Sequence, residues 1–275
     1  MAMVISNLVI DRILRGVMFS TTTREAMWNV SQISSFNINV TTDKRTAVDA
    51  TETPIMDFYR AKSCSVTGEN ALWDLGLFAA QGGSDLVSSS ADNKFNVPAF
   101  DEIKLTNATS ATLTYVPVIP AGETYAVPYV YVLNGDGTLG KKLTCAGSAS
   151  AGSFAQTGKT LTFAEGDLKV GETIIVFYEH EADGTSGNQA LSMKNTAKDF
   201  PRAGRFVMEV LCCDPCDKST LYYAYLILPS ATLSPDVDLD FSTDARHSFT
   251  LDAQQDYCDH EKRLYELIVP EAVNA

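Results

Sequence analysis

RFVMEVL (205–211), LYYAYLIL (221–228), VDLDF (237–241), SFTLDAQQ (248–255) and RLYELIV (263–269) follow one another through the last quarter of the chain. The polar stretches CDPCDKS (213–219), PSATLSPD (229–236), STDAR (242–246) and DYCDHEK (256–262) separate them. Each run is rich in Phe, Tyr, Val, Ile and Leu, side chains that suit a pleated, half-buried surface. Phe249, Leu251 and Ala253 fall on one face of their run, while Thr250 and Asp252 fall on the other. The reading is an antiparallel meander. No residue set in it is arranged to hold a reacting atom, which points to assembly rather than catalysis.

Composition narrows the field. With 275 residues, 45% of them hydrophobic, the chain can bury a core in one large or two smaller β domains. The formal net charge of −13 argues against wrapping nucleic acid, which needs a surplus of Lys and Arg. It is compatible with a surface that lies near DNA without adhering, because like charge repels phosphate over a Debye length of about 8–10 Å. The opening MAMVISNLVIDRILRG lacks a basic start, and Asp11 and Arg12 interrupt its apolar stretch, so production in a cytoplasm is expected. Cys64, Cys145, Cys212, Cys213, Cys216 and Cys258 are then reduced thiols.

Three parts are legible. In the first, residues 7–19 fit a short helix or an extended arm. Phe36, Ile38 and Val40 alternate with polar residues as a strand, and residues 55–66 read as a second strand. Between them TDKRTAVDATETP (42–54) reads as an exposed loop carrying Asp43, Lys44, Arg45, Asp49 and Glu52. It is longer than the roughly 2–5 residues a hairpin needs, which suggests contact with a neighbouring subunit. ENALWDLGLFAAQ (69–81) reads as a helix stopped by Gly82 and Gly83, and residues 84–98 as loop.

The second part alternates short β runs with Gly-rich turns: TLTYVPV (112–118), PYVYVLN (128–134), LGKKLTC (139–145), TLTFAE (160–165) and ETIIVFYEHE (172–181). NGDGT is a strong hairpin signal. AGSASAGSFAQTG (146–158) reads as a flexible tip. The pattern predicts a small Ig-like β-sandwich over 108–189, inserted into a discontinuous β domain made of 1–107 and 190–275. The fold class expected is mainly β: an antiparallel sandwich with one short helix, plus the small sandwich.

Candidate chemistry is sparse. Cys213, Cys216, Cys258 and His260 have the makings of a Cys₃His zinc site if their two turns meet at one end of the sheet. Free turn cysteines are the simpler reading, and no cofactor is expected. His180 and His247 lack a nucleophile pattern and read as polar strand-end residues. The pairs Asp238/Asp240 and Glu179/Glu181 each project from one strand face, an arrangement open to a glycosidase-like dyad or a weak Ca²⁺ site but far more often a solvated face. Tyr222, Tyr223 and Tyr225 suit packing better than base stacking. Tyr125, Tyr129 and Tyr131 are open to two readings, core or an exposed sugar-binding surface.

The polar segment between two strands (34–66), the helix in AKSCSVTGENALWDLGL and the closing HSFTLDAQQDYCDHEKRLYELIVP resemble the major tail tube proteins of long-tailed bacteriophages. The resemblance covers 1–107 and about 190–275. It implies a structural, non-enzymatic virion protein that stacks as hexameric rings into a β-lined tube. DNA passes through that tube without specific binding, and the partners are further copies and other tail proteins, with no membrane. Location in the virion tail after assembly in the host cytoplasm follows. A head decoration or minor virion protein, and a carbohydrate-binding adhesion module, are the alternative readings.

Overall fold

The computed structural model describes residues 7–216, 220–237, 242–243, 246–255 and 261–270. The fold is mainly β, with antiparallel sheets and, among the described residues, one helix. In chain order the first segment carries β1 (Val9–Ser20), β2 (Ala26–Val30), β3 (Ile33–Val48), β4 (Pro54–Asn70) and α1 (Leu75–Gln81). The middle carries β5 (Val87–Ser88), β6 (Phe95–Lys104), β7 (Ser110–Thr112), β8 (Tyr129–Leu133), β9 (Leu139–Cys145), β10 (Ser153–Thr157), β11 (Thr160–Phe163), β12 (Thr173–Ala182) and β13 (Leu191–Ser192). The last carries β14 (Gly204–Cys213), β15 (Leu221–Leu233), β16 (His247–Ala253) and β17 (Glu266–Ile268). Two compact units result: Met1–Leu86 with Met193–Ala275, and Val87–Ser192.

The first unit is built on one sheet, ordered β2-β1-β14-β15-β16-β4-β3, with β17 also beside β15. Alternation sends Phe206, Met208 and Val210 of β14, Leu226 and Leu228 of β15, and Phe249 and Leu251 of β16 to one buried face. Trp28 on β2, at one end of the sheet, and Phe36 on β3, at the other, both pack on Phe206, at 5.7 and 6.1 Å between ring centroids. Two ends of one sheet that meet on one side chain require the sheet to curl around it, and the sheet is a half-barrel.

Residues 7–19, compatible by sequence with helix or arm, are strand. β1 pairs with β14 from Val9↔Cys213 to Ser20↔Gly204, with irregularities between Ile10 and Arg12 and between Ile13 and Arg15. Each bulge adds a residue and shifts the phase of the alternation, so a strand acquires the three-to-four spacing of a helix. Pro229 lies inside β15, where a long turn was expected. The ladder to β14 skips it between Leu228 and Ala231, and on the other edge β17 pairs up to Ile227 while β16 begins at Ala231. The missing N–H therefore falls in a gap between ladders. The helix is shorter than the expected 69–81. It starts after Asp74, whose carboxylate accepts a hydrogen bond from the Leu77 N–H at 2.8 Å.

The helix is tied to the sheet by a polar contact. Gln81 Oε1 lies 2.7 Å from His247 Nε2, and Gln81 Nε2 donates to the Ser248 carbonyl at 3.1 Å. His247 and its register partner Asn70 are both buried.

The second unit has a sheet ordered β6-β12-β8-β9-β10-β11-β7 and a two-stranded β13-β5 ribbon. Val130, Leu143, Phe154, Leu161, Phe163, Ile174 and Val176 form its core. β6, carried in the first segment by sequence, pairs with β12 over its whole length, from Phe95↔Ala182 to Lys104↔Thr173. Its Pro98 sits on an edge strand, where a missing N–H is tolerated. β10 lies in the stretch read as a flexible tip, and strand structure in 112–118 ends at Thr112.

Two outcomes follow from this packing. Phe206→Ala removes a fully buried ring and is expected to destabilise the first unit by about 3–5 kcal/mol in urea unfolding of the soluble chain. Burial holds the His247 imidazole below its ordinary value of 6.5, against a smaller opposing pull from the Asp74 carboxylate. The unfolded chain therefore takes up a proton first as pH falls. Stability from this group is full above about pH 6.5 and declines below it, by at most about 1.4 kcal/mol per pH unit. Urea midpoints measured from pH 7.5 to 5 are expected to fall less steeply in His247→Gln than in the parent.

Candidate assembly site

β3 and β4 pair from Ile33↔Asn70 to Val48↔Pro54, but β16 lies beside β4 only over residues 64–70. Residues 41–63 therefore form a two-stranded ribbon that leaves the sheet. Asp43, Lys44 and Arg45, expected in a loop, are strand residues opposite Arg60, Tyr59 and Phe58. Only Asp49 and Glu52 of that set lie in the turn. The sequence misled because these strands bury neither face, so no polar–apolar alternation marks them.

The ribbon is held locally. Lys44 Nζ lies 2.8 Å from Asp57, and the Thr46 hydroxyl donates to the same carboxylate at 2.7 Å. The hydrogen bond from Lys44 is the largest cause that holds the Asp57 carboxyl below the usual carboxylate range. At the tip, the Asp49 carboxylate accepts from the Thr51 hydroxyl and from the Thr51 and Thr53 N–H groups at 2.7–2.9 Å. These bonds, the Thr51 hydroxyl first, also lower its pKa. Glu52 takes a φ of 63° to close the turn.

What the ribbon presents is apolar. Ile55 is 69% exposed and Tyr59 70%, and Met56, Phe58 and Val48 are also exposed. Large apolar side chains exposed together on a ribbon mark contact surfaces. Sequence reading saw the charges at 43–52 and missed these residues. The available signal was IMDFY (55–59), which places apolar residues at both parities of a strand and so cannot have one buried and one solvated face.

The sheet also has open edges. β2 covers β1 only over residues 16–19, and β3 is the terminal strand at the other end. Among the described residues, nothing pairs along the outer edge of β3, or along the edge of β1 opposite β14 before Gly16, where Val9 and Ile10 are exposed. Unpaired edges are templates for pairing with another chain.

The other candidates are not ribbon residues. Cys213, at the end of β14, is half-buried, and Cys216 is exposed in the following turn, where its N–H donates to Asp214 at 2.8 Å. Cys258 and His260, and the Asp238/Asp240 pair, lie outside the described residues. Among the described residues no group of three or more His, Cys, Asp or Glu is gathered to hold a metal ion. His180 is buried and stacks on Tyr115 at 3.9 Å. Glu181 pairs with Lys94 at 2.8 Å, and Glu179 accepts from Asn96 at 3.2 Å. Tyr225 donates to Glu209 at 3.2 Å. No helix among the described residues is long and apolar enough to cross a membrane.

The family model described as the YomU/Tube protein family matches residues 14–265, a span that takes in both units and the whole ribbon. No curated protein matches the chain.

Proposed function

The chain belongs to the YomU/Tube protein family, and from that premise we propose that it is a structural subunit of a phage tail tube. Copies join edge to edge through the open strands of the first unit into rings, which we take to be hexameric. The rings stack through the 41–63 ribbon, whose residues Asp43, Lys44, Arg45, Asp49 and Glu52 make the polar part of the contact and Ile55, Met56, Phe58 and Tyr59 the apolar part. The observation that carries this reading is the ribbon itself: two paired strands projecting past their sheet with large apolar side chains in solvent.

The rest of the reading follows from assembly. The two open edges lie at opposite ends of the strand order, so contact is head-to-tail, and a head-to-tail contact closes into a ring or runs on as a filament. A net charge of −13 lets DNA pass along the tube without specific binding. Other tail proteins cap the tube ends. The protein acts as virion architecture rather than as an enzyme, assembling in the host cytoplasm. The second unit is an inserted, Ig-like sandwich that decorates the tube.

Two experiments test this. Replacing residues 43–60 with an Asn-Gly turn is expected to leave a soluble chain that unfolds cooperatively and forms no tubes under negative-stain microscopy. Tubes formed as readily as by the parent would remove the ribbon from the contact. Replacing residues 88–191 with a short Gly/Ser linker is expected to leave assembly intact, since the unit has its own core. A shortened chain that cannot fold would make the insert part of the tube domain.

A further inference from the structure

Phe100, Phe177, Tyr131 and Tyr129 stand on the outward face of the seven-stranded sheet of the second unit, on the adjacent strands β6, β12 and β8. Their neighbours in sequence, Ala99, Val130, Val176 and Tyr178, point into the core. Ring centroids are 5.5 Å apart from Phe100 to Phe177, 6.3 Å from Phe177 to Tyr131 and 6.4 Å from Tyr131 to Tyr129. On β9 the Lys142 ammonium lies 4.8 Å over the Tyr129 ring. The rings thus form one continuous set that crosses from β6 through β12 to β8 and ends along β8. With strands about 4.8 Å apart, the row and Lys142 cover roughly 14 Å. Phe100 is 70% exposed. The sequence left Tyr129 and Tyr131 open between core and surface, and the register places both outside.

We propose that this row is a binding site for a neutral oligosaccharide, an extended chain of pyranose rings. The row is narrow. Glu102, opposite Ile175, borders it on one side, and Glu179, opposite Pro98, on the other. A stable protein partner covers about 800 Å² per side with a core depleted of charge. A strip of four rings with carboxylates along both margins is a poor match for that. A pyranose offers an apolar C–H face and a rim of hydroxyls, and the strip offers the complement of both. The rings take the C–H faces, while Glu102, Glu179, Lys142 and the tyrosine hydroxyls take hydroxyl hydrogen bonds.

Charge selects the class of glycan. Within residues 87–192 Asp and Glu outnumber Lys, and Arg is absent. Such a surface repels phosphate-rich and uronate-rich polymers at moderate salt and places no penalty on a neutral chain.

The test uses the full chain in solution over surfaces carrying chitohexaose, cellohexaose or hyaluronan, with binding followed by interferometry. The parent is expected to bind at least one neutral hexasaccharide and not hyaluronan. Phe100→Ala and Tyr131→Ala are each expected to weaken binding about tenfold, the order of effect of losing one stacked ring. Phe100→Tyr, which keeps the ring, is expected to stay within about threefold of the parent. These side chains face outward, so the variants retain the core, which circular dichroism checks. Absence of binding to both neutral hexasaccharides, or binding unchanged in both alanine variants, overturns the proposal. It is also overturned if the alanine variants lose self-association in sedimentation, because the face is then a contact between copies. Tube formation is scored separately by microscopy, so failure here is distinct from failure of the tube reading.

Discussion

Two phenylalanine rings packed on bare backbone set the shape of the first unit. A Cβ at Gly16 would stand 2.8 Å from Phe206 Cζ, and one at Gly68 2.5 Å from Phe249 Cζ, closer than real side chains approach. The rings occupy space that any other residue at 16 or 68 would fill. Trp28 then lies against both rings, at 5.7 and 6.0 Å, and so joins β14 and β16 through an edge strand that pairs with neither. The curl of the sheet depends on these contacts. Without the glycines the rings lift off the sheet, Trp28 and Phe36 lose a common partner, and the two ends of the sheet are no longer drawn toward one centre.

The same curl stops short of closure, which leaves the edges to be managed. β3 and β4 run past the last strand that could cover them, and their extension carries Lys44, Arg45, Arg60 and Lys62 among its apolar side chains. Charges on an exposed edge oppose indiscriminate pairing, and irregularities at its root, the register shift at Thr42/Asp43 and a φ of 38° at Ala61, twist the ribbon away from a flat template. A net charge of −13 adds repulsion between free copies. A contact between copies would have to overcome these terms, which suits defined side chains better than backbone alone.

How much of this was legible depended on whether a strand buries one face. β14 and β16 do, and Phe206/Met208/Val210 and Phe249/Leu251 declared them at once. β1 also does, but two bulges scrambled its period. The ribbon strands bury neither face, so residues 41–48 read as loop. β6 was lost because Pro98 and the pair Asp101/Glu102 imitate a loop, although its small and apolar residues Ala99 and Ile103 face inward. The helix was found and its start misplaced, since Trp73 and Leu72, which seemed to open an apolar face, are exposed ahead of the Asp74 cap. At the candidate site the charged residues were named while Ile55, Met56, Phe58 and Tyr59 were not, because sequence reading assigns large apolar residues to cores by default.

The small β5–β13 ribbon shows how one chain can carry a second unit as an insertion. Leu191 pairs with Ser88 and Ser192 with Val87, so the chain enters and leaves the second unit through adjacent, antiparallel residues. To the first unit, everything between is a closed loop, and the entropic cost of a closed loop grows only with the logarithm of its length. The insert offsets its own ordering through the core around Phe154, Leu161 and Ile174. In any subunit repeated along a filament, a weak surface contact carried on such an insert would be multiplied by the number of copies.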